Sequence, residues 1–349
     1  KISKPTHIYR ERERDSTKKL FFILLNFFNL NFCTYEDLYI VMIQVLFSTI
    51  PNHFDFYTSL FFFWQDKEEP ICRLFDLLGK LFINLKDSVA PQVESLLQAA
   101  TDHYRAHHFP GTLAVCAAAA EAYGKAPALA GYFAQLWRFL AAETLPLLPA
   151  PGGASAALVA AYFDTAYRFL LFVPGAIIPD SAQLESICEA ALATASTSQD
   201  KEAARSATVF LNQLFARCDG LLAPFKPQID ALVTSPFGER ATLRLVQALT
   251  ESAHPHLRPN LATCLYALVH NFCENGREDL CYQWVERALA GEALAAKGVY
   301  TDAAGHRRLT DCFLGLARTS RPRFKAMLMD LAKICAREAT ADALVGYFI

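Results

Sequence analysis

The sequence predicts an all-α fold in which helix pairs stack into a superhelix, and three observations predict it. Apolar residues recur at the i, i+3, i+4, i+7 spacing of a 3.6-residue turn along residues 66–349, and no comparable stretch alternates with period two. Prolines, which lack a backbone donor and clash with the preceding turn, fall between those runs or at their edges. Alternate helices begin at an interval of about 40–46 residues, the length of a two-helix repeat.

In chain order, Leu74, Leu77, Leu78, Leu81, Phe82 and Leu85 form the first apolar stripe, with Arg73, Asp76, Lys80 and Asn84 on the opposite side. Pro110 precedes an Ala-rich stretch. The stripe Phe133, Leu136, Trp137, Leu140 lies between Pro127 and Pro146. Phe163, Ala166, Tyr167, Leu170 and Leu171 follow Pro149 and Pro151 and stop at Pro174. Leu184, Ile187, Cys188, Ala191 and Leu192 follow Pro179, with Asp180 placed to cap the first amides; Asp200 does the same for Ala207, Phe210, Leu211, Leu214 and Phe215. Pro224, Pro227 and Pro236 punctuate the next stretch, and Pro255 and Pro259 introduce Leu261, Cys264, Leu265, Leu268, Val269 and Phe272. Cys281, Trp284, Val285, Ala288 and Leu289 come next. Ser320 and Pro322 open the last stripe, Phe324, Met327, Leu328, Leu331, Ala332 and Cys335.

The repeat helices begin near Ile71, Thr112, Ser155 and Lys201. This spacing fits a HEAT/ARM-type α-α superhelix (solenoid), in which each pair covers its apolar face only by stacking on its neighbours. The small residues of Cys116 to Ala120 and Ala156 to Ala161 favour close helix approach and argue against the competing arrangement, a globular bundle converging on one centre.

The composition divides the chain. Of 349 residues, 53% are hydrophobic and the 33 Lys plus Arg nearly match the 35 Asp plus Glu, which excludes a disordered chain and a polybasic nucleic-acid binder. Residues 1–65 contain no Ala and no Gly but 11 of the 27 Phe, whereas residues 66–349 hold all 15 Gly and 54 Ala. Three readings of residues 1–65 stand open. A membrane anchor is opposed by Asn26, Asn29, Asn31, Glu36, Asp37, Gln44 and Pro51, which interrupt the apolar runs short of the ~20 residues that a span needs. A family-specific apolar extension is the second. The third, favoured by an AT-rich codon signature, by Tyr9-Arg10-Glu11-Arg12-Glu13-Arg14-Asp15 and by Phe61-Phe62-Phe63-Trp64-Gln65, is a translated intron. The expected organisation is a leader that is no domain, then a solenoid over residues 66–349 whose native chain continues upstream. On that expectation the Leu74 to Leu85 face lacks its preceding repeat and is uncovered.

No catalytic constellation stands out: there is no phosphate-binding glycine loop, HExxH, GxSxG or CxxC. Neither an enzyme nor a cofactor is expected. The ten Cys are scattered, with Cys188, Cys264, Cys281 and Cys335 on apolar faces where a thiol acts as a small hydrophobe in a reducing compartment. His103, His107 and His108 share a helix end, but no carboxylate or thiol accompanies them at a metal-site spacing; His254 and His256 read as loop. Arg318, Arg321, Arg323 and Lys325 are balanced by Asp330, Glu338 and Asp342. Residues 66–349 carry 26 basic and 29 acidic groups, which leaves no nucleic-acid footprint and makes protein the expected ligand.

Several stretches carry a family resemblance. They are Ala99-Ala100-Thr101-Asp102-His103-Tyr104-Arg105-Ala106-His107-His108 running into Ala120-Glu121-Ala122-Tyr123-Gly124, then Phe163-Asp164-Thr165-Ala166-Tyr167-Arg168-Phe169. Further along come Leu280-Cys281-Tyr282-Gln283-Trp284-Val285-Glu286-Arg287-Ala288-Leu289 and Arg308-Leu309-Thr310-Asp311-Cys312-Phe313. In this order, from about Ile71 to the end, the chain resembles the C-terminal HEAT-repeat region of the importin-β (karyopherin) superfamily, transportin-3 and importin-13 branch. The resemblance implies a nuclear transport receptor that carries protein cargo through the pore under control of the GTPase Ran, touches nucleoporins, and shuttles between cytoplasm and nucleus. It implies Ran contact through N-terminal repeats that this chain does not contain. It also implies that the helix reading arginine-serine domains of splicing factors falls near Ile71 to Asp87, where Arg73, Lys80 and Lys86 are the basic residues and the candidate cargo contacts. An ordinary solvated face explains the same three residues. A cytosolic HEAT-repeat scaffold without a transport role is the other functional reading.

Overall fold

The structure is a computed structural model that describes residues 67–148, 154–216, 220–252, 254–274 and 276–348. The reading of residues 1–65 as a leader lies outside these described residues. The fold is all-α, with no strand among the described residues. Its longer helices are α1 (Glu68–Asn84), α2 (Val93–His107), α3 (Pro110–Tyr123), α4 (Ala130–Thr144), α5 (Ala156–Phe172), α6 (Ser181–Thr197) and α7 (Lys201–Phe215). They continue as α8 (Lys226–Thr234), α9 (Pro236–Gln247), α10 (Arg258–Glu274), α11 (Glu278–Leu289), α12 (Ala303–Thr319) and α13 (Arg321–Cys335).

Local chemistry accounts for most boundaries. Pro110, Pro236, Pro259 and Pro322 occupy the first two positions of α3, α9, α10 and α13, where the missing amide is one that a helix start leaves unpaired anyway. The carboxylates of Asp180, Asp200 and Asp302 accept from the amides of Gln183, Ala203 and Gly305 at 3.0, 2.8 and 2.7 Å, and the Ser320 hydroxyl accepts from Arg323 at 3.4 Å. Asp200→Ala removes the cap of α7, a helix whose Ala207, Phe210, Leu211, Leu214 and Phe215 are all buried. The expected loss is about 1 kcal/mol, read as a lower urea midpoint at unchanged slope.

The helices pack in sequence order. α1 lies on α3, α3 on α5, α5 on α7, α7 on α10, and α10 on α12 and α13. A second succession runs alongside: α2 touches α4, α6 touches α9, α9 touches α11, and α11 touches α12. The buried apolar side chains form one cluster that extends from Ile71 to Leu344. α3 has no exposed stripe to speak of, because small residues let it sit between α1 and α5; Cys116, Ala117, Ala119 and Ala120 are all buried. At Gly111 a side chain would place its Cβ 2.8 Å from the Cys72 Cα, so the α1–α3 contact is backbone-close. Polar pins cross the same seams. The Thr144 hydroxyl donates to the Leu140 carbonyl and accepts from Tyr104 at 2.7 Å, and the Thr165 hydroxyl reaches the Leu113 carbonyl of α3 at 3.0 Å.

Ion pairs join neighbouring helices on the surface. Arg168 of α5 meets Glu121 of α3, Arg240 of α9 meets Glu185 and Glu189 of α6 at 2.8 and 2.6 Å, and Arg287 of α11 meets Glu239 of α9. Each such exposed pair is worth no more than about 1 kcal/mol, so the pairs set register more than stability. The expectation of an uncovered first helix does not hold. Leu74, Leu77, Leu78, Leu81 and Phe82 are buried, and the large apolar residue exposed on α1 is Ile83, at 51%.

Candidate functional site

The candidate cargo residues divide between two elements. On α1 the apolar side is spent on the core, which forces Glu69, Arg73, Asp76 and Lys80 to the outside. Arg73 Nη2 stands 2.6 Å from Glu69 Oε1 and Lys80 Nζ 3.1 Å from Asp76 Oδ2, each cation one turn after its carboxylate, the favourable order along a helix. Lys86 is exposed but lies past the end of α1, in the four-residue helix Lys86–Val89, and its carbonyl accepts the Tyr123 hydroxyl at 2.8 Å. The structure thus brings Arg73 and Lys80 onto one face and leaves Lys86 off it.

A hollow of about 540 Å³ adjoins this face, lined by Glu68, Glu69, Cys72, Arg73, Asp76 and Pro110. It carries three carboxylates, of which Glu69 pairs with Arg73 and Asp76 with Lys80. A second hollow, of about 490 Å³, opens where the end of α6 meets α9 and the loop before α10; Ser198, Gln199, Arg244, Gln247, Glu251 and His254 supply its polar lining. The sequence reading missed it, because its walls come from three segments that no local pattern connects.

The histidines do not converge. His103 is buried on α2 with its ring 4.7 Å from that of His107, and Phe109 lies 5.4 and 5.3 Å from the two. His108 adopts φ 52° to end α2 and places Nε2 3.8 Å from Glu143 Oε2. No group of three His, Cys, Asp or Glu side chains that could hold a metal occurs among the described residues. The C-terminal cations disperse likewise. Arg318 pairs with Glu278 at 2.6 Å, Arg321 lies over the Tyr266 ring at 5.5 Å, and Arg323 donates to the Gly346 carbonyl at 3.3 Å. Burial pushes the Cys116 and Cys335 thiols up to about 12 and about 11, and those of Cys188 and Cys264 upward as well, so these four are neutral core side chains. Among the described residues no helix is long and apolar enough to cross a membrane.

No protein-family model matches the chain, and no curated protein matches it closely enough to count as a relative. The fold and the surface chemistry therefore carry the functional reading.

Proposed function

We propose that residues 66–349 form a HEAT-type superhelix that binds protein cargo as part of an importin-type nuclear transport receptor in Ran-dependent import. The observation that carries this reading is the order of helix contacts. α1, α3, α5 and α7 begin at Glu68, Pro110, Ala156 and Lys201, and each lies on the next, while α2 touches α4 and α6 touches α9 in the other row. Helix pairs related in this way bury their apolar faces on sequence neighbours and leave long polar surfaces free for a partner. Arg–Glu pairs join neighbouring helices within each row, which fits the same arrangement.

Cargo recognition in this proposal uses the α1 face. Its hollow receives an arginine-rich segment on Glu68, Glu69 and Asp76, and Arg73 and Lys80 orient the segment. The test is retention of GTP-loaded against GDP-loaded Ran, and of an arginine-serine peptide, on the immobilised full-length gene product. GTP-selective retention of Ran and capture of the unphosphorylated peptide are expected, with peptide capture weakened at least tenfold by Glu69→Lys with Asp76→Lys. Absence of Ran retention in either nucleotide state assigns the chain to the scaffold class instead.

A further inference from the structure

The chain leaves α13 through Arg337, at φ 63°, and the Glu338 amide donates to the Lys333 carbonyl at 2.8 Å. The Glu338 carboxylate accepts from the buried Arg258 at 3.3 Å, which pins the chain to the start of α10. Beyond this pin the 3₁₀ segment Ala341–Tyr347 turns back along α13, and Leu344 is buried there. Hydrogen bonds from two helices hold the rest. Cys312 Sγ of α12 donates to the Tyr347 carbonyl at 3.1 Å and lies 3.8 Å from Met327 Sδ of α13. Arg323 Nη2 donates to the Gly346 carbonyl at 3.3 Å, and the Tyr347 hydroxyl donates to Asp330 Oδ2 at 2.8 Å. Arg323, Met327 and Asp330 follow one another at spacings of four and three, so they share one side of α13. Val345 and Phe348 are exposed.

These are the contacts by which a groove holds a peptide: donors grip main-chain carbonyls, one apolar side chain is enclosed, and a carboxylate reads a phenol. None of them needs the segment to be joined to α13, because the pin at Glu338 lies before it. We propose that the groove between α12 and α13 is a docking site for a Leu-Xaa-Xaa-Tyr turn of a partner protein, and that Leu344–Tyr347 occupies it in cis as a displaceable stand-in. The segment in place is the template for the partner. Its leucine fills the apolar position, its tyrosine meets Asp330, and the residues between them face solvent and are free to vary. No residue of the α1 face takes part, so this assignment is independent of the transport reading.

The stand-in is loosely held. Ordering its seven residues costs conformational entropy, and of its side chains Leu344 is the one buried to offset that cost. α12 and α13 bury Phe313, Leu314, Phe324, Met327, Leu328 and Leu331, so the segment leaves long before the two helices part. The groove's donors and acceptor keep their roles at neutral pH. Burial first, and the Asp330 carboxylate second, push the Tyr347 hydroxyl up to about 12, and burial raises the Cys312 thiol, so both remain donors. A hydrogen bond to an ionised carboxylate is among the stronger ones, which makes Asp330 the group that selects tyrosine over phenylalanine.

The test is fluorescence anisotropy of a labelled peptide of residues 340–349, titrated onto the full chain and onto its Leu344→Asp variant. The variant is expected to bind the peptide about tenfold more tightly than the parent, in which the cis segment leaves the groove open for only a fraction of the time. Replacing the peptide's tyrosine by phenylalanine, or adding Asp330→Ala to the variant, is expected to weaken binding about tenfold, as loss of a charge-assisted hydrogen bond does. Iodoacetamide should modify Cys312 faster in the variant, and the peptide should slow it again. In the unmodified chain, excess unlabelled peptide should speed hydrogen exchange of the amides of residues 341–348. A variant that keeps its helical signal yet binds no peptide by about 1 mM overturns the proposal. So does exchange at residues 341–348 of the parent that excess peptide leaves unchanged, a readout that stands even if the variant does not fold. Concentration-dependent dimers of the parent that the peptide dissolves would make a second copy the occupant and overturn the assignment to a partner protein.

Discussion

Gly238→Ala is expected to destabilise the chain by about 3 kcal/mol or more, although it raises helix propensity. Gly238 lies in the first turn of α9, where an alanine in an open helix would add about 0.5–1 kcal/mol of stability. Here the added Cβ would stand 1.8 Å from the Val233 carbonyl oxygen and 2.6 Å from the Trp284 ring. Neither neighbour yields cheaply. Val233 belongs to the backbone of α8, and Trp284 is packed against Phe272 at 5.1 Å. Either the α8–α9 turn opens or α11 moves off α9, and overpacking of this kind costs about 1–3 kcal/mol or more. The control is Gly315→Ala in α12, whose Cβ would meet nothing within 4 Å and which is expected to gain about 0.5–1 kcal/mol. Urea midpoints that move the same way in both variants would show that the α8–α9–α11 approach is not as close as described. Hydrogen exchange adds a test of architecture. In a superhelix the loss of protection should be confined to α8–α11 and their immediate neighbours, whereas a single shared core would lose it throughout.

Trp137→Ala is expected to cost about 3–5 kcal/mol, a large fraction of the ~5–15 kcal/mol by which a folded chain is stable. Trp137 of α4 is fully buried, stacked on Tyr162 at 5.8 Å and tilted against Phe169 at 5.0 Å, both on α5. Phe133 meets Phe169 at 6.0 Å, and Phe163 carries the aromatic contacts on to Phe210 of α7 at 6.4 Å. Truncation leaves a cavity whose walls are themselves held by further rings, so collapse is limited and the cost falls toward the upper end. A thermal melt should show the transition lowered by several degrees, while Ile83→Ala, at an exposed position, should leave it within about 0.5 kcal/mol of the parent.

The helices that the sequence made legible are those with one apolar stripe. Leu74 to Leu85, Phe133 to Leu140 and Leu184 to Leu192 became α1, α4 and α6 because each buries one side and wets the other. α3 escaped that test because it is apolar on almost every side, and α8 because nine residues give too few turns for a period to show. Among the candidate contacts, Arg73 and Lys80 were legible as a polar stripe, and their pairing with Glu69 and Asp76 follows from spacings of four. The hollow at the end of α6 was not.

Helix identity, caps and breaks rest on residues within four or five positions of one another, because hydrogen bonds and side-chain contacts along a helix reach no further. The chain's own order of residues is enough for them, and Asp180, Asp200 and Ser320 cap the helices that their positions announce. Which helix lies beside which depends instead on where two backbones are allowed to touch. Gly111 against Cys72 and Gly238 against Trp284 are such places. Those contacts lie between residues distant in the chain, and packing at van der Waals distance, which no local pattern encodes, selects them.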